Sequence, residues 1–413
     1  MKVITLQILF FLFSLQLTAQ RVCGTHEYNI RNQHTTNQQL DQSSTAGSHF
    51  RDTVANEIIT IPVVVHVLYH TTAQNISTAQ ILSQLKVLNE DFRRMNADAA
   101  NTPNAFTSVA ADAKIMFCLA QINPAGRPAS GIIRKFTTKE YFSIDDAVKF
   151  SAAGGDDAWD NKKYLNIWVC NIQNNVLGYA SNPGTQADKD GVVIQFDAFG
   201  NTGTLRPSFN KGRRATHEIA HWMGLKHIWG DNNCGDDGIG DTPQQSGYNS
   251  NCPSFPHMSS CSPDANGDMF MNFMDYTSDA CMNIFTEGQK TKMRGLFALH
   301  NYRNSFLTSF ACDSTLATAA PLPAIDTTVV VKPIPTVQIF PNPVHSDFGF
   351  ASLNGYSLEG KQFVIMSANG EVLIKKTILN ATDKVNVSAL HSGIYIIQIG
   401  QGSERVVLKL IKI

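Results

Sequence analysis

The sequence has no excess of charge of either sign: 33 lysines and arginines stand against 34 aspartates and glutamates in 413 residues, a net charge of −1. Nothing in that balance recruits nucleic acid or an acidic membrane, so a partner has to be recognised locally. Long apolar runs are also scarce. The one at the start, residues 3–17, follows Lys2 and ends in Thr18-Ala19-Gln20. It is short for a membrane span, and its order of basic residue, apolar run and small residue reads as a signal peptide over residues 1–19. No second apolar segment follows it, so no transmembrane segment is expected and the mature chain should be exported. The length exceeds one ordinary domain, and two or three are expected.

Against this background one stretch carries chemistry: His217-Glu218-Ile219-Ala220-His221-Trp222-Met223-Gly224-Leu225-Lys226-His227. Residues four apart project from one face of a helix, so His217 and His221 can hold one metal ion with two ring nitrogens. Glu218 points about 100° away round the helix, which suits a general base acting on a metal-activated water better than a ligand. If the helix ran on, His227 would lie roughly 15 Å beyond His217. The helix must therefore stop, and Gly224 stands where a left-handed residue can end it and return His227 as third ligand. Three protein ligands with a fourth position open are the catalytic pattern of zinc. Buried histidines are often only hydrogen-bonded core groups, but three of them with the glutamate and the hinge argue for zinc chemistry.

The long motif resembles that of the metzincin metalloproteases, and a Met-turn follows at Asn272-Phe273-Met274-Asp275-Tyr276. The wider wording, continued by Cys281-Met282-Asn283-Ile284-Phe285-Thr286, is similar to the pappalysin family of secreted endopeptidases. That resemblance implies an α+β metzincin-type catalytic domain, a thioether floor from Met274 under the histidines, and Tyr276 as donor to the oxyanion of the tetrahedral intermediate. It also implies the interleaved disulfides Cys234–Cys261 and Cys252–Cys281, one of three pairings that the sequence alone allows. The block holding these cysteines is rich in Gly, Asn, Asp and Pro and poor in apolar residues, so cross-links would replace a missing core. Its aspartate loops, residues 235–243 and 264–268, offer hard oxygens that suit calcium, and the resemblance favours at least one calcium of unassigned ligands.

Residues 20–50 are polar and aperiodic and read as a pro-segment. Within it, Cys23 of Arg21-Val22-Cys23-Gly24-Thr25 can give its thiolate to the open metal position and hold the enzyme latent, as the resemblance to family pro-peptides implies. The alternative is a disulfide from Cys23 to Cys118, Cys170 or Cys312. Activation would follow cleavage near Phe50-Arg51.

The catalytic domain, expected over residues 51–312, mixes strands and helices. Strands are predicted at 58–69, 114–123, 131–136, 164–172 and 191–196; Pro62 fits only the beginning of the first or an edge, and His66 within it is expected to be packed. Ser77 with Gln80 makes a capping box ahead of Ile81, Leu85, Leu88 and Phe92 at helical spacing, a helix to about 95. Thr286 with Gln289 opens a last helix to about 299. In the family it resembles, an edge strand binds extended peptide, and residues 191–196 or the loop just before are the expected edge.

Residues 313–335 have the composition of a linker, and the strands of residues 336–413 alternate as in a small β-sandwich. There Phe340-Pro341-Asn342-Pro343, Ser392-Gly393-Ile394-Tyr395 and a lysine-containing last strand resemble the C-terminal sorting domain of type IX secretion cargo. This implies an outer-membrane secretion machinery as partner and a secreted or cell-surface location. No aromatic cluster marks a sugar platform in this stretch. Two functions stand: a secreted zinc endopeptidase, made as a latent zymogen and acting on protein or peptide substrates, or a surface-attached binding protein with an inactive protease-like domain. Intact ligands, base, hinge and Met-turn together favour the first.

Overall fold

Strand β1, Ile59–Tyr69, is the element on which the first sheet is built. The computed structural model describes residues 23–32, 57–263, 265–316, 337–352, 357–367, 371–380, 382–400 and 406–413. The expected signal peptide, residues 33–50 with the cleavage point beyond them, Asp264, most of the linker and the turn Asn369-Gly370 lie outside these residues. The chain divides into two units, Met1–Ala320 and Pro321–Ile413.

In the first unit, β1 pairs in parallel with β2 (Ile115–Leu119) through its first half and with β3 (Ile132–Phe136) through its second, while β4 (Leu165–Cys170) runs along its other side. The sheet continues through a parallel strand at Val192–Gln195 to an antiparallel one at Gly178–Ala180, numbered β6 and β5 in chain order. Parallel strands are covered on both faces, which explains why β1 is apolar on both parities. Ile61, Val63, Val65 and Val67 enter the main core; Val64 and Leu68 enter smaller clusters on the other face. Pro62 lies one residue before Val63, where pairing with β4 begins, so a central strand accommodates it.

Helix α2 (Thr78–Phe92) is capped by the Ser77 side chain, which accepts from Gln80 N, and buries Ile81, Leu85, Leu88 and Phe92 in the main core. It stops three residues short of the predicted end, where Arg94 takes a φ of 48°. A single turn, α3 (Asn104–Thr107), follows. His66 is packed as expected, stacked on Trp168 with its ring nitrogens on Asp156 and Asn166. The predicted strands 114–123 and 164–172 are both shorter in the fold.

Of the two places expected for the sheet edge, the loop before residues 191–196 holds it: β5 from that loop pairs outside β6, so residues 191–196 lie inside the sheet. A strand of three residues has too few positions to show alternation, so sequence periodicity passes over it.

Between helix α4 (Arg213–Trp222) and helix α5 (Glu287–Gly295) the described residues hold no helix or strand. Disulfides Cys234–Cys261 and Cys252–Cys281 lie in this block, and Cys118–Cys312 joins β2 to the end of the unit. Helix α5 carries the Thr286–Gln289 capping box and ends before the predicted position. In the second unit, two antiparallel sheets share one core. One has the order β10 (Val372–Thr377), β9 (Gln362–Met366), β12 (Gly393–Ile399), β13 (Val406–Lys412); the other has β11 (Lys384–Asn386), β8 (Asp347–Ser352), β7 (Val337–Phe340). Phe348 and Phe350 from one sheet meet Phe363, Ile365 and Ile397 from the other.

Candidate metal centre

Every residue of α4 is buried, so its polar side chains need partners inside the protein. Arg214 pairs with Asp279, Arg213 with Asp91 and Asp98, and the Thr216 hydroxyl donates to Asp91. These contacts fix the helix in rotation. Its end is a Schellman closure: Gly224 at φ 80° donates its N–H to His221 O, and Leu225 N–H returns to Ala220 O. The turn brings His227 back beside the helix.

The Nε2 atoms of His217, His221 and His227 converge at 3.0 to 3.3 Å from one another. Each ring's Nδ1 faces an acceptor: Phe273 O for His217, Leu225 O for His221 and the Asp231 carboxylate for His227. Those acceptors place the proton on Nδ1 and leave three Nε2 lone pairs aimed at one point. Burial and the neighbouring imidazoles push His217 far below the usual histidine range and His221 down to about 3, so protonation does not relieve the contact. Three neutral nitrogen donors repel one another unless a cation lies among them, and this donor set fits zinc.

Glu218 is buried beside the triad. Its Oε2 accepts from the Thr25 hydroxyl at 2.7 Å and faces Cys23 Sγ at 3.6 Å, while Oε1 has no protein partner. Burial raises its carboxyl to about 7, against the hydrogen bonds of Thr25 and Cys23. Strand β5 runs directly over it: a Cβ at Gly178 would meet Glu218 Cγ at 2.7 Å, so only glycine lets the edge approach so closely. Cys23 Sγ lies 3.6 Å from His221 Nε2 and forms with the three histidines a group whose ligand atoms all lie within 4.8 Å. Neither Cys23 nor Cys170 is in a disulfide. Burial and the charge of Glu218 push the Cys23 thiol up.

The Met-turn packs against the histidines of the site. Asn272 Oδ1 accepts from Met274 N, Phe273 supplies the carbonyl that orients His217, and Met274 is wholly buried in the main core. Tyr276 has its ring 4.8 Å from His227 and 5.8 Å from His217. Sequence reasoning missed three contributors. Trp229 stacks on His227 at 4.4 Å, Asp231 fixes its tautomer, and Thr25 engages Glu218. An acid four residues after the third histidine was a readable sign of Asp231; nothing local marked the others.

In the aspartate loops most carboxylate oxygens are already hydrogen-bonded. Asp241 accepts from Thr286 and Gly288 N at the start of α5, and Asp268 from Ser259 and Ser262. Among the described residues of these loops, Asp237 Oδ2 is buried and without a partner.

Fold and site together define a metal-dependent hydrolase with an open-ended sheet over its centre. Comparison with known proteins narrows this class. Residues 151–298 match the family model described as pregnancy-associated plasma protein-A, and residues 338–413 match that of the secretion system C-terminal sorting domain. An extracellular metalloprotease of Arthroderma benhamiae is 30% identical over 299 residues, 70% of this chain and 88% of that protein. Mature mirolysin of Tannerella forsythia in complex with a cleaved peptide is 51% identical at a TM-score of 0.61, covering 63% of this chain and 98% of that one. A promirolysin mutant of the same organism is 48% identical at a TM-score of 0.63, covering 70% and 98%. The chain belongs to the pappalysin family of metalloproteases and carries a type IX sorting domain at its C-terminus. It is a metalloendopeptidase, secreted or held at the cell surface. No helix among the described residues is long and apolar enough to cross a membrane.

Proposed function

We propose that the protein is a zinc endopeptidase made as a zymogen, with His217, His221 and His227 as the ligands and Glu218 as general base. The convergence of three Nε2 lone pairs carries this reading. When bound, zinc supplies a Lewis acid that polarises the scissile carbonyl and acidifies a water. Glu218 then takes the proton from that water and passes it to the leaving amine. Tyr276 donates to the oxyanion, and the β5 edge holds the peptide in extended form. Met274 underlies the histidines. Cys23 occupies the open position in the zymogen, and Thr25 holds the Glu218 carboxylate meanwhile. Asp237 has a buried carboxylate oxygen to spare for calcium. The sorting domain addresses the chain to the outer-membrane secretion machinery.

Digestion of gelatin by the exported protein, with and without a zinc chelator and beside Glu218→Ala, tests the reading. Cleavage by the activated parent alone supports it. Silence of a chain freed of its pro-segment and loaded with zinc would turn the assignment toward a binding protein.

A further inference from the structure

The segment at residues 23–32 holds the catalytic unit by more than its cysteine. Gly24 donates its N–H to Gly178 O at 2.8 Å, and the Thr25 hydroxyl accepts from Ala180 N at 2.9 Å while donating to Glu218. Both bonds to β5 use the edge that a substrate needs. Helix α1 (Thr25–Asn32) then carries the chain round that edge. Tyr28 is buried with Trp168, Cys170, Tyr179 and Val193, whereas Ile167, Val169, Ala180 and Val192, the alternate positions of the same strands, face the core under α4. The segment is thus a strap, with Cys23 on one face of the sheet and Tyr28 on the other.

Tyr28 sits in a built socket. Its ring is 5.0 Å from that of Tyr179, Lys149 Nζ lies 4.9 Å from its centroid, and its hydroxyl donates to Asp146 at 2.9 Å. Lys149 is itself buried and fixed by Asp146 Oδ1 at 2.8 Å and Lys189 O at 2.7 Å. Asn29 adds a bond to Asn182 at 3.0 Å, and His26 a contact with Asp231 at 3.3 Å. All these contacts lie between Cys23 and Asn32, upstream of residues 33–56. None depends on the chain connection to β1.

From this we infer that a cut between residues 33 and 56 does not by itself activate the enzyme: the severed N-terminal piece stays docked on β5 and in the Tyr28 socket as a non-covalent inhibitor. This rests on the latency reading above. Cutting converts an intramolecular contact into a bimolecular one, so inhibition becomes dependent on concentration and is lost on dilution or when the piece is itself destroyed. Substrate and piece compete for one strand edge.

The test uses the full chain with the recognition sequence of a site-specific protease in place of residues 40–46. After the cut, size-exclusion chromatography follows the fragment and a fluorogenic peptide follows activity across a dilution series. The expected result is a silent intact chain, a cut chain whose fragment co-elutes, and specific activity that rises at least tenfold on dilution. Tyr28→Ala should activate at concentrations at least tenfold higher than the parent, and Tyr28→Phe, which keeps the ring and loses the Asp146 bond, should fall between them. A silent intact chain that becomes fully active on cutting, at every concentration and with the fragment eluting free, overturns the inference and leaves latency intact. An intact chain that is already active removes both.

Discussion

His217 and His221 are held by a helix buried on all sides, whereas His227 stands in a block of more than sixty described residues that hold no helix or strand, and the contrast shows two ways to fix a side chain. On α4 the backbone hydrogen bonds and the core contacts of Ala215, Ile219 and Ala220 set the helix, and the buried ion pairs of Arg213 and Arg214 fix its rotation. Beyond Gly224, polar bonds and cross-links replace them: Asp231 orients His227, Asp275 accepts from Gln245 and Asn249, and two disulfides span 27 and 29 residues. A helix fixes many atoms cooperatively, whereas a stapled loop depends on each bond separately.

The largest expected effect lies on the helical side. Glu218→Ala should lower kcat by about 10² to 10⁴-fold if it is the proton carrier, with zinc content by atomic absorption unchanged. An equal loss of zinc would show that the residue matters for assembly instead. On the loop side, Asp231→Ala should weaken zinc affinity or activity by about 10 to 100-fold, read from chelator titration; an unchanged affinity would mean that the loop backbone alone sets the His227 ring.

The cross-links give the next effect. Replacing Cys252 and Cys281 together by serine should cost about 3 to 4 kcal/mol of stability from the loop that is released. Heat should then abolish cleavage of a peptide before the far-UV signal of the sheet is lost. Simultaneous loss of both signals would make the two regions one cooperative unit.

Asp237 probes the same block by pH. Burial raises its carboxyl from 3.8 to about 6. Because the folded value lies above the unfolded one, its protonated form stabilises the fold below about pH 4, and that stability is lost as pH rises through about 6. Asp237→Asn should therefore be more stable than the parent at pH 8 by between about 2 and 3 kcal/mol, an advantage that melting temperatures in chelator should show vanishing toward pH 4. If added calcium reverses the difference at pH 8, the spare oxygen of Asp237 is a ligand.

The apolar periodicity of α2 was legible because Ile81, Leu85, Leu88 and Phe92 must share one face. The zinc motif was legible because helix pitch and a glycine hinge relate three histidines within eleven residues. The sheet edge was read as residues 191–196 or the loop just before them, and the choice stayed open because β5 in that loop has only three residues and shows no alternation. Trp229 lay near the motif, but its stacking on His227 is a matter of loop conformation.

By itself, then, the sequence determined what short-range rules decide: helices α2, α4 and α5, though not the short α1 in a segment read as aperiodic, the buried β1, the histidine spacing and the alternating strands of the last unit. Tertiary structure alone decided that β5 covers Glu218, that Thr25 and Cys23 meet that glutamate from almost two hundred residues away, and that Tyr28 anchors the strap on the far face of the sheet. The reason is physical. Helix pitch and strand alternation repeat over a few residues and leave their period in the sequence, whereas a contact closed across a long loop depends on how whole elements pack and leaves no period to read.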